Sequence, residues 1–152
     1  MIILAIDPGT TESAVIAVDS QTYEIVEAGI LPNEDAVATV RHGYYDDLNI
    51  EWIRSYGMAV GDEVFATCMA VGRMYEAARP SIPSLVPRMD VKMHICHDAR
   101  AKDGNIIAAL KSRFESPTAR AGKGWFKLIK ADLWQAYALA VYRADKLNGV
   151  EW

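Results

Sequence analysis

The first nine residues combine an apolar run with an acid and a turn. Residues 2–6 are all apolar, and Asp7, Pro8 and Gly9 follow them directly. A second apolar run at residues 14–18 predicts a strand, a tight turn and a second strand. Burial of a carboxylate at the tip of a strand costs free energy unless a cationic group lies beside it. Gly9 permits a positive φ in the turn or a close approach of another group to the backbone. Asp7 is therefore a candidate metal ligand or phosphate-site residue, unless it only caps its own turn.

Length and composition favour one soluble globular domain over residues 1–152. No apolar run approaches the roughly 20 residues that a membrane helix needs, and the N-terminus lacks the basic region of a signal peptide. We therefore expect no membrane association. Two cysteines, Cys68 and Cys96, lie far apart, which is typical of free thiols in a reducing cytoplasm.

The net charge of −4 conceals an asymmetry between the two halves of the chain. Residues 1–78 contain three Lys and Arg against thirteen Asp and Glu, whereas residues 86–130 contain ten against four. Such a division is a sign of polyanion binding. The alternative is an ordinary solvated surface.

The order of predicted elements indicates an α/β fold with a central five-stranded mixed sheet flanked by helices. A crossover through the first helix would make the first and fourth strands parallel neighbours. Asn33 is predicted to cap that first helix. A basic, Gly-containing segment at 116–124 is expected to be mobile. Strands are predicted at residues 2–6, 13–19, 23–31, 47–53 and 91–96, and helices at 34–41, 61–79, 102–114 and 131–146.

Three acids fall at comparable positions on separate elements. Asp7 ends the first strand, Glu51 lies in the fourth strand, and Asp132 begins the last helix. Taken singly, Glu51 could be a surface residue and Asp132 only a helix cap. Three converging carboxylates would repel one another unless divalent cations neutralised them. Oxygen ligands alone indicate Mg²⁺ or Mn²⁺ rather than zinc, and two such ions about 4 Å apart suit phosphodiester hydrolysis.

The three acids lie within a series of four sequence segments that occur in a fixed order along the chain. The segments are residues 3–9, 49–51, 101–106 and 130–140. Together they resemble the motifs of the RuvC-type Holliday junction resolvases, especially the compact phage forms, which have an RNase H-like fold. The first motif alone is weak, because sugar-kinase-type phosphate loops also contain an Asp-x-Gly-Thr-Thr pattern.

The resemblance implies a metal-dependent endodeoxyribonuclease that cleaves four-way DNA junctions as a homodimer. Asp7, Glu51 and Asp132 would be the catalytic acids and would bind two Mg²⁺ ions, for which Mn²⁺ would substitute. It also implies a cytoplasmic location in a bacterial or phage-infected cell. The family often places a second acid one helical turn after the position of Asp132, but here that position is Gln135. Gln135 is thus a weaker candidate ligand, and Glu12 and Asp98 are possible replacements.

Several basic and aromatic residues are candidate DNA contacts. The loop after Glu51 could insert a wedge into an opened junction, or it could only cap the next helix. His94 and Cys96, placed on one face of the predicted fifth strand, do not complete a zinc site, whereas His97 could assist at the cleft. The predicted DNA-binding residues are Arg54, Tyr56, Lys102, Lys111, Lys123 and Lys127.

The helix predicted at residues 61–79 is apolar over too wide an arc for one sheet to cover. We therefore expect Val64, Cys68, Val71 or Tyr75 in an isologous dimer interface. Three other interpretations stay open: another RNase H-like nuclease acting on branched DNA or RNA–DNA hybrid, a non-catalytic junction-binding protein, and a small kinase of the actin-like superfamily. A kinase of that kind needs two such domains to form its cleft.

Overall fold

A five-stranded sheet forms the centre of the protein, in the strand order β3-β2-β1-β4-β5. The computed structural model describes residues 1–115 and 124–152. Strands β1, β2 and β3 form an antiparallel meander, and β1, β4 and β5 pair in parallel. The sheet is therefore mixed, as the sequence predicted. The strands are β1 (Ile2–Asp7), β2 (Glu12–Asp19), β3 (Ile25–Pro32), β4 (Asp47–Trp52) and β5 (Ser84–Pro87).

Helices cover both faces of the sheet. Leu4, Ile6 and Ile50 pack against α1 and α2 on one face, whereas Ile3 and Ala5 pack against α3, α4 and α5 on the other. Alternate residues of β1 thus enter two different cores, as the two-residue period of a strand requires. The helices are α1 (Asn33–His42), α2 (Asp62–Ala77), α3 (Arg88–Cys96), α4 (Asp103–Phe114) and α5 (Leu133–Asn148).

Helix α5 lies directly on the middle of the sheet, where it contacts β1, β2 and β4. Its buried alanines, among them Ala136 and Ala140, let the helix approach the strands closely. Tyr137 is also fully buried; its hydroxyl donates to the Tyr23 carbonyl oxygen at 3.0 Å and accepts from Trp125 Nε1 at 2.9 Å. This packing fixes the N-terminal end of α5 at one end of the sheet.

The prediction of a strand at residues 91–96 is wrong, because this segment belongs to α3 and the fifth strand is β5. Val91, Met93 and Ile95 alternate with polar residues, but Val91 and Ile95 are also four residues apart. In the structure both are buried while Met93 is largely exposed, as one face of a helix requires. Pro80, Pro83 and Pro87 predict a loop between residues 80 and 90, but β5 is an edge strand of the sheet, where proline is tolerated.

The prediction that Asn33 caps α1 is also wrong. Pro32 occupies the cap position, and Asn33 is the first residue of the helix. Its buried side chain turns instead toward the loop after β1, where it donates to the Gly9 carbonyl oxygen at 3.0 Å and accepts from Ser13 Oγ at 2.7 Å. Asn33 therefore stabilises the turn that follows Asp7.

Most of the segment predicted to be mobile, residues 116–124, lies outside the described residues. Within the described parts, no helix combines the length and the apolar character that a membrane span requires.

Candidate active site

The parallel pairing of β1 and β4 brings two of the predicted acids together. The last paired residues are Ile6 and Ile50, so Asp7 and Glu51 follow side by side at the carboxyl ends of the two strands. Both lie on the face covered by α5, because side chains alternate along a strand. Glu51 is buried and Asp7 is partly buried. The interpretation of Glu51 as an exposed surface residue is therefore wrong.

The turn after Asp7 depends on close backbone packing at Gly9. A Cβ atom added to Gly9 would lie 2.3 Å from the Glu12 carbonyl oxygen, so no other residue fits without a shift of the backbone. Ser13 Oγ also accepts from the Gly9 N–H at 3.3 Å. Gly9 thus serves a close approach, one of the two roles that the sequence suggested.

Asp132 immediately precedes α5, as predicted, and its side chain is exposed. Among the described residues it makes no capping hydrogen bond to the helix, which leaves no support for a role as a cap alone. Burial and Glu51 raise the pKa of Asp7 most, and the charge of Asp132 adds a smaller increase. Asp132 therefore lies near enough to Asp7 to influence its ionisation.

The electrostatics of these acids are unfavourable without a cation. Burial and then the charge of Glu51 raise the pKa of Asp7 to about 8, although Arg88 partly opposes the shift. Burial also raises the pKa of Glu51, again against the influence of Arg88. Desolvated carboxylates that face one another both disfavour ionisation, so added positive charge would stabilise the ionised site.

Two residues at this site, Arg88 and Asp103, were missed by the sequence analysis. Arg88 NH1 lies 3.3 Å from Glu51 Oε1, and Arg88 NH2 lies 2.7 Å from Asp103 Oδ1. Asp103 also raises the pKa of Asp7. The acid was visible in the segment 101–106, but Arg88 could not be placed because its helix had been assigned as loop and strand.

The side chains of the three acids offer carboxylate oxygens, which are the ligand atoms that a hard divalent cation prefers. Within the described residues, no three His, Cys, Asp or Glu side chains converge closely enough to form a coordination site. The guanidinium of Arg88 lies between Glu51 and Asp103. The donor set therefore suits Mg²⁺ or Mn²⁺, and coordination would require the carboxylates to draw together.

Gln135 lies in the first turn of α5 and is buried. Glu12 and Asp98, the two possible replacements for an acid at the position of Gln135, stay predictions. Glu12 lies on a groove of about 580 Å³ together with Lys127 and Lys130. Asp98 accepts a hydrogen bond from the backbone N–H of Arg100 at 2.8 Å.

The predicted DNA contacts lie around this end of the sheet. Lys102 directly precedes Asp103, and Lys111 Nζ lies 5.5 Å from the centre of the Trp134 ring on the first turn of α5. Lys127 is exposed in the segment that leads to Asp132. Lys123 lies outside the described residues.

The loop after Glu51 presents the other two candidates, Arg54 and Tyr56, to solvent. Tyr56 has a φ of 47° and Gly57 a φ of 82°, so a tight turn projects the ring outward. An exposed aromatic ring at the tip of a loop is the shape that a wedge requires.

His94 and His97, which the sequence analysis weighed as a metal-site residue and as a residue that assists at the cleft, lie on and at the end of α3. His94 lies on α3 and its Nε2 lies 2.8 Å from Asp145 Oδ2 in a buried network. His97 ends α3 in a left-handed conformation, with a φ of 53°, and lines a groove beside Trp152. The expected strand face that His94 and Cys96 would share does not exist, because α3 is a helix.

Comparisons with known proteins identify the fold. No protein-family model matches the chain, and no curated protein matches its sequence. Among solved structures, it is similar to Thermus thermophilus RuvC, with a TM-score of 0.70 and 15% identity over 99% of this chain and 98% of that one. It is also similar to T. thermophilus RuvC in complex with a Holliday junction substrate, with a TM-score of 0.59 and 16% identity over 98% and 96% of the two chains. The predicted RNase H-like fold and the resemblance to RuvC-type resolvases in fold are thus confirmed.

Proposed function

We propose that this protein is a metal-dependent endodeoxyribonuclease that resolves four-way DNA junctions, with residues 1–152 acting as one nuclease domain. The observation that carries the proposal is that Asp7 and Glu51 directly follow the last paired residues of the neighbouring parallel strands β1 and β4, at their carboxyl ends. Asp132 lies close enough to influence the pKa of Asp7. The fold shared with a RuvC protein solved on a Holliday junction supports the choice of substrate. We expect the protein to act in the cytoplasm of a bacterial or phage-infected cell.

Asp7, Glu51 and Asp132 would hold two Mg²⁺ ions, or Mn²⁺ in their place. Asp7 would be the shared ligand, as the resemblance to the RuvC-type resolvases implies; in the structure it directly follows β1, beside Glu51 at the end of β4. Gln135 would contribute an amide oxygen at most, so affinity for the second ion should be lower than with an acid there. When bound, two such ions supply the activation of water and the stabilisation of the leaving oxygen that in-line phosphodiester hydrolysis needs.

The basic residues around the site would bind the phosphates of branched DNA. Lys102 and Lys127 lie near Asp103 and Asp132 and would draw the backbone toward the acids. Tyr56 and Arg54, on the loop after Glu51, would contact the open centre of the junction. These side chains would position the scissile phosphate, whereas the acids would not bind DNA by themselves.

A second copy of the chain would supply the second cut. The exposed face of α2 carries Phe65 and Met69, which are 58% and 71% exposed. Val71 was predicted to lie in the interface, but it is only 1% exposed because it packs in the core of its own chain. Val64, Cys68 and Tyr75 are half-buried at the margins of the exposed face, and we propose that this face forms an isologous dimer.

Cleavage of synthetic substrates tests the proposal directly. With Mg²⁺, the protein should introduce paired cuts into a four-way junction and leave linear duplex intact. Asp7→Asn, Glu51→Gln and Asp132→Asn should each lower the cleavage rate by at least about 100-fold and leave junction binding in place. Asp35→Asn, which removes an exposed acid on α1, is the matched control and should cleave normally.

Other outcomes would point to other functions. Preferred cleavage of flap or RNA–DNA hybrid would indicate a different RNase H-like nuclease. Tight junction binding without cleavage would indicate a non-catalytic binding protein, a candidate that Gln135 and the Arg88 ion pairs favour. A wild-type cleavage rate in any one of the three acid variants would exclude that acid as a ligand.

A further inference from the structure

The guanidinium of Arg88 connects two carboxylates at the proposed site. Arg88 NH1 approaches Glu51 Oε1 at 3.3 Å and Arg88 NH2 approaches Asp103 Oδ1 at 2.7 Å. The Arg88 side chain is only 34% exposed, so water does not fully screen these contacts. The Arg88 contact is with one oxygen of Glu51, Oε1.

Both partners of Glu51 are anchored on regular structure. Arg88 opens α3 directly after Pro87, whose pairing partner in the sheet is Trp52, the neighbour of Glu51. Asp103 opens α4, and the Asn105 side chain fixes this helix end by accepting from the Lys102 N–H at 2.9 Å. The bridge therefore connects Glu51, on β4, to the first residues of α3 and α4.

We propose that Arg88, held in turn by Asp103, is a positioning residue that orients Glu51 for metal binding. The proposal rests on the proposed function, because it assigns a role within that same site. A glutamate side chain has three rotatable bonds, and hydrogen bonds from a rigid planar fork restrict them. Groups that orient a metal ligand in this way typically contribute about 10- to 100-fold in metal affinity.

A competing role for Arg88 makes the opposite prediction. If the guanidinium only occupied the place of a cation, its positive charge would repel an incoming metal ion. Removal of Arg88 would then tighten metal binding. If Arg88 orients Glu51, its removal weakens metal binding even though a positive charge is lost.

Titration of the metal-free full-length protein with Mn²⁺, followed by the electron paramagnetic resonance of free Mn²⁺, measures this directly. Arg88→Met should raise the Kd by about 10-fold or more. Arg88→Lys should also weaken binding, because one ammonium cannot reproduce the planar fork. Arg73→Met is the matched control and should not change the Kd; Arg73 makes a similar ion pair with Glu34 at 3.4 Å, between the helices α1 and α2 that cover the other face of the sheet.

A double-mutant cycle separates positioning from simple electrostatics. Asp103→Asn should weaken Mn²⁺ binding in the wild-type background and weaken it much less, or tighten it, in Arg88→Met, because the part of its effect that acts through Arg88 is then lost. If Asp103 acted only by its charge, the two effects would add.

The outcomes distinguish this inference from the proposed function. An unchanged or lower Kd in Arg88→Met, or additive effects in the double-mutant cycle, would overturn the positioning role of Arg88. The proposed function would still stand if the wild-type protein binds Mn²⁺ and cleaves junctions. A wild-type protein that binds no Mn²⁺ would overturn both. If Arg88→Met does not fold, as judged by circular dichroism, a wild-type Kd in Arg88→Lys would overturn the inference instead.

Discussion

At the scale of single residues, the acids of the candidate site differ in how much water reaches them. Asp132 is exposed, whereas Glu51 is buried and Asp7 is partly buried beside it. Burial penalises the charged form of a carboxyl, and a neighbouring negative charge adds to the penalty. Asp7 therefore makes the stability of the metal-free protein depend on pH.

The sign of this dependence follows from the raised pKa of Asp7, about 8 in the folded protein against 3.8 ordinarily. Between these values the folded protein holds a proton that the unfolded chain releases, so stability should fall as pH rises. In EDTA, the melting temperature should decrease from pH 5 to pH 8 less steeply in Asp7→Asn than in the wild type. Differential scanning calorimetry measures both slopes.

Asp35→Asn is the control for this prediction, because Asp35 is exposed and should leave the wild-type slope unchanged. Addition of Mg²⁺ should flatten the wild-type slope, since a bound cation stabilises the ionised acids. Equal slopes in the wild type and Asp7→Asn would show that Asp7 does not titrate in this range.

Asp145 shows the opposite behaviour at a site that sequence reasoning did not find. Burial acts to raise the pKa of Asp145, but hydrogen bonds from Arg113, His94 and Tyr23 outweigh it and lower the pKa. Arg113 donates to both oxygens at 2.7 and 2.8 Å. These partners are far apart in sequence, so no local pattern could have joined them.

At the scale of secondary-structure elements, the sequence predicted the correct type of element where the spacing of apolar residues fitted only one type. The apolar run before Asp7 could only be a buried strand, and the crossover through α1 then placed Glu51 beside Asp7. The segment 91–96 satisfied both a strand and a helix period, and its misassignment hid Arg88. The candidate ligands Asp7 and Glu51 were thus predictable from the sequence. The contact of the Arg88 guanidinium with Glu51 was not.

Helix α2 offers a test of association at this scale. One exposed face of α2 carries Phe65, Met69 and Gly72, which are spaced four and three residues apart. No atom of the same chain lies within 4 Å of a Cβ built at Gly72, so this face is open at that position. Met69→Glu should convert a dimer to a monomer, with the dissociation constant raised by at least about 100-fold, because two symmetry-related methionines are each worth about 1.5–3 kcal/mol when buried. Light scattering at micromolar concentration measures the mass.

Met93→Glu is the matched control, because Met93 is 46% exposed on α3, away from this face, and its replacement should leave the dimer intact. A wild-type protein that is monomeric at micromolar concentration would contradict the dimer. A dimer that withstands Met69→Glu would place the interface on another surface.

At the scale of the whole molecule, a net charge of −4 coexists with a proposed DNA surface. Binding depends on the local field rather than on the sum of charges. Lys102, Lys111 and Lys127 lie around the end of the sheet that holds the acids, whereas Lys146 lies at the far end of α5. A helix of sixteen residues spans about 24 Å, more than twice the screening length at physiological salt.

This separation predicts how binding responds to salt. Lys102→Ala, Lys111→Ala and Lys127→Ala should each lower the slope of log affinity against log salt concentration by about one unit, because each lost phosphate contact releases about one counterion fewer. The loss should be the same for junctions of different sequence, since phosphate contacts position DNA without reading its bases. Fluorescence anisotropy with a labelled junction in Ca²⁺, which should fill the site without supporting much cleavage, measures the slopes.

Lys146→Ala is the control for these variants, because it removes the same charge at the opposite end of α5. It should leave the salt slope unchanged if the local field around the acids governs binding, whereas an effect of net charge alone would alter the slope equally in all four variants. Omission of Ca²⁺ should weaken binding of the wild type, because the ionised acids then repel the phosphates that the lysines attract. An unchanged slope in a combined Lys102, Lys111 and Lys127 alanine variant would place the DNA surface elsewhere on the molecule.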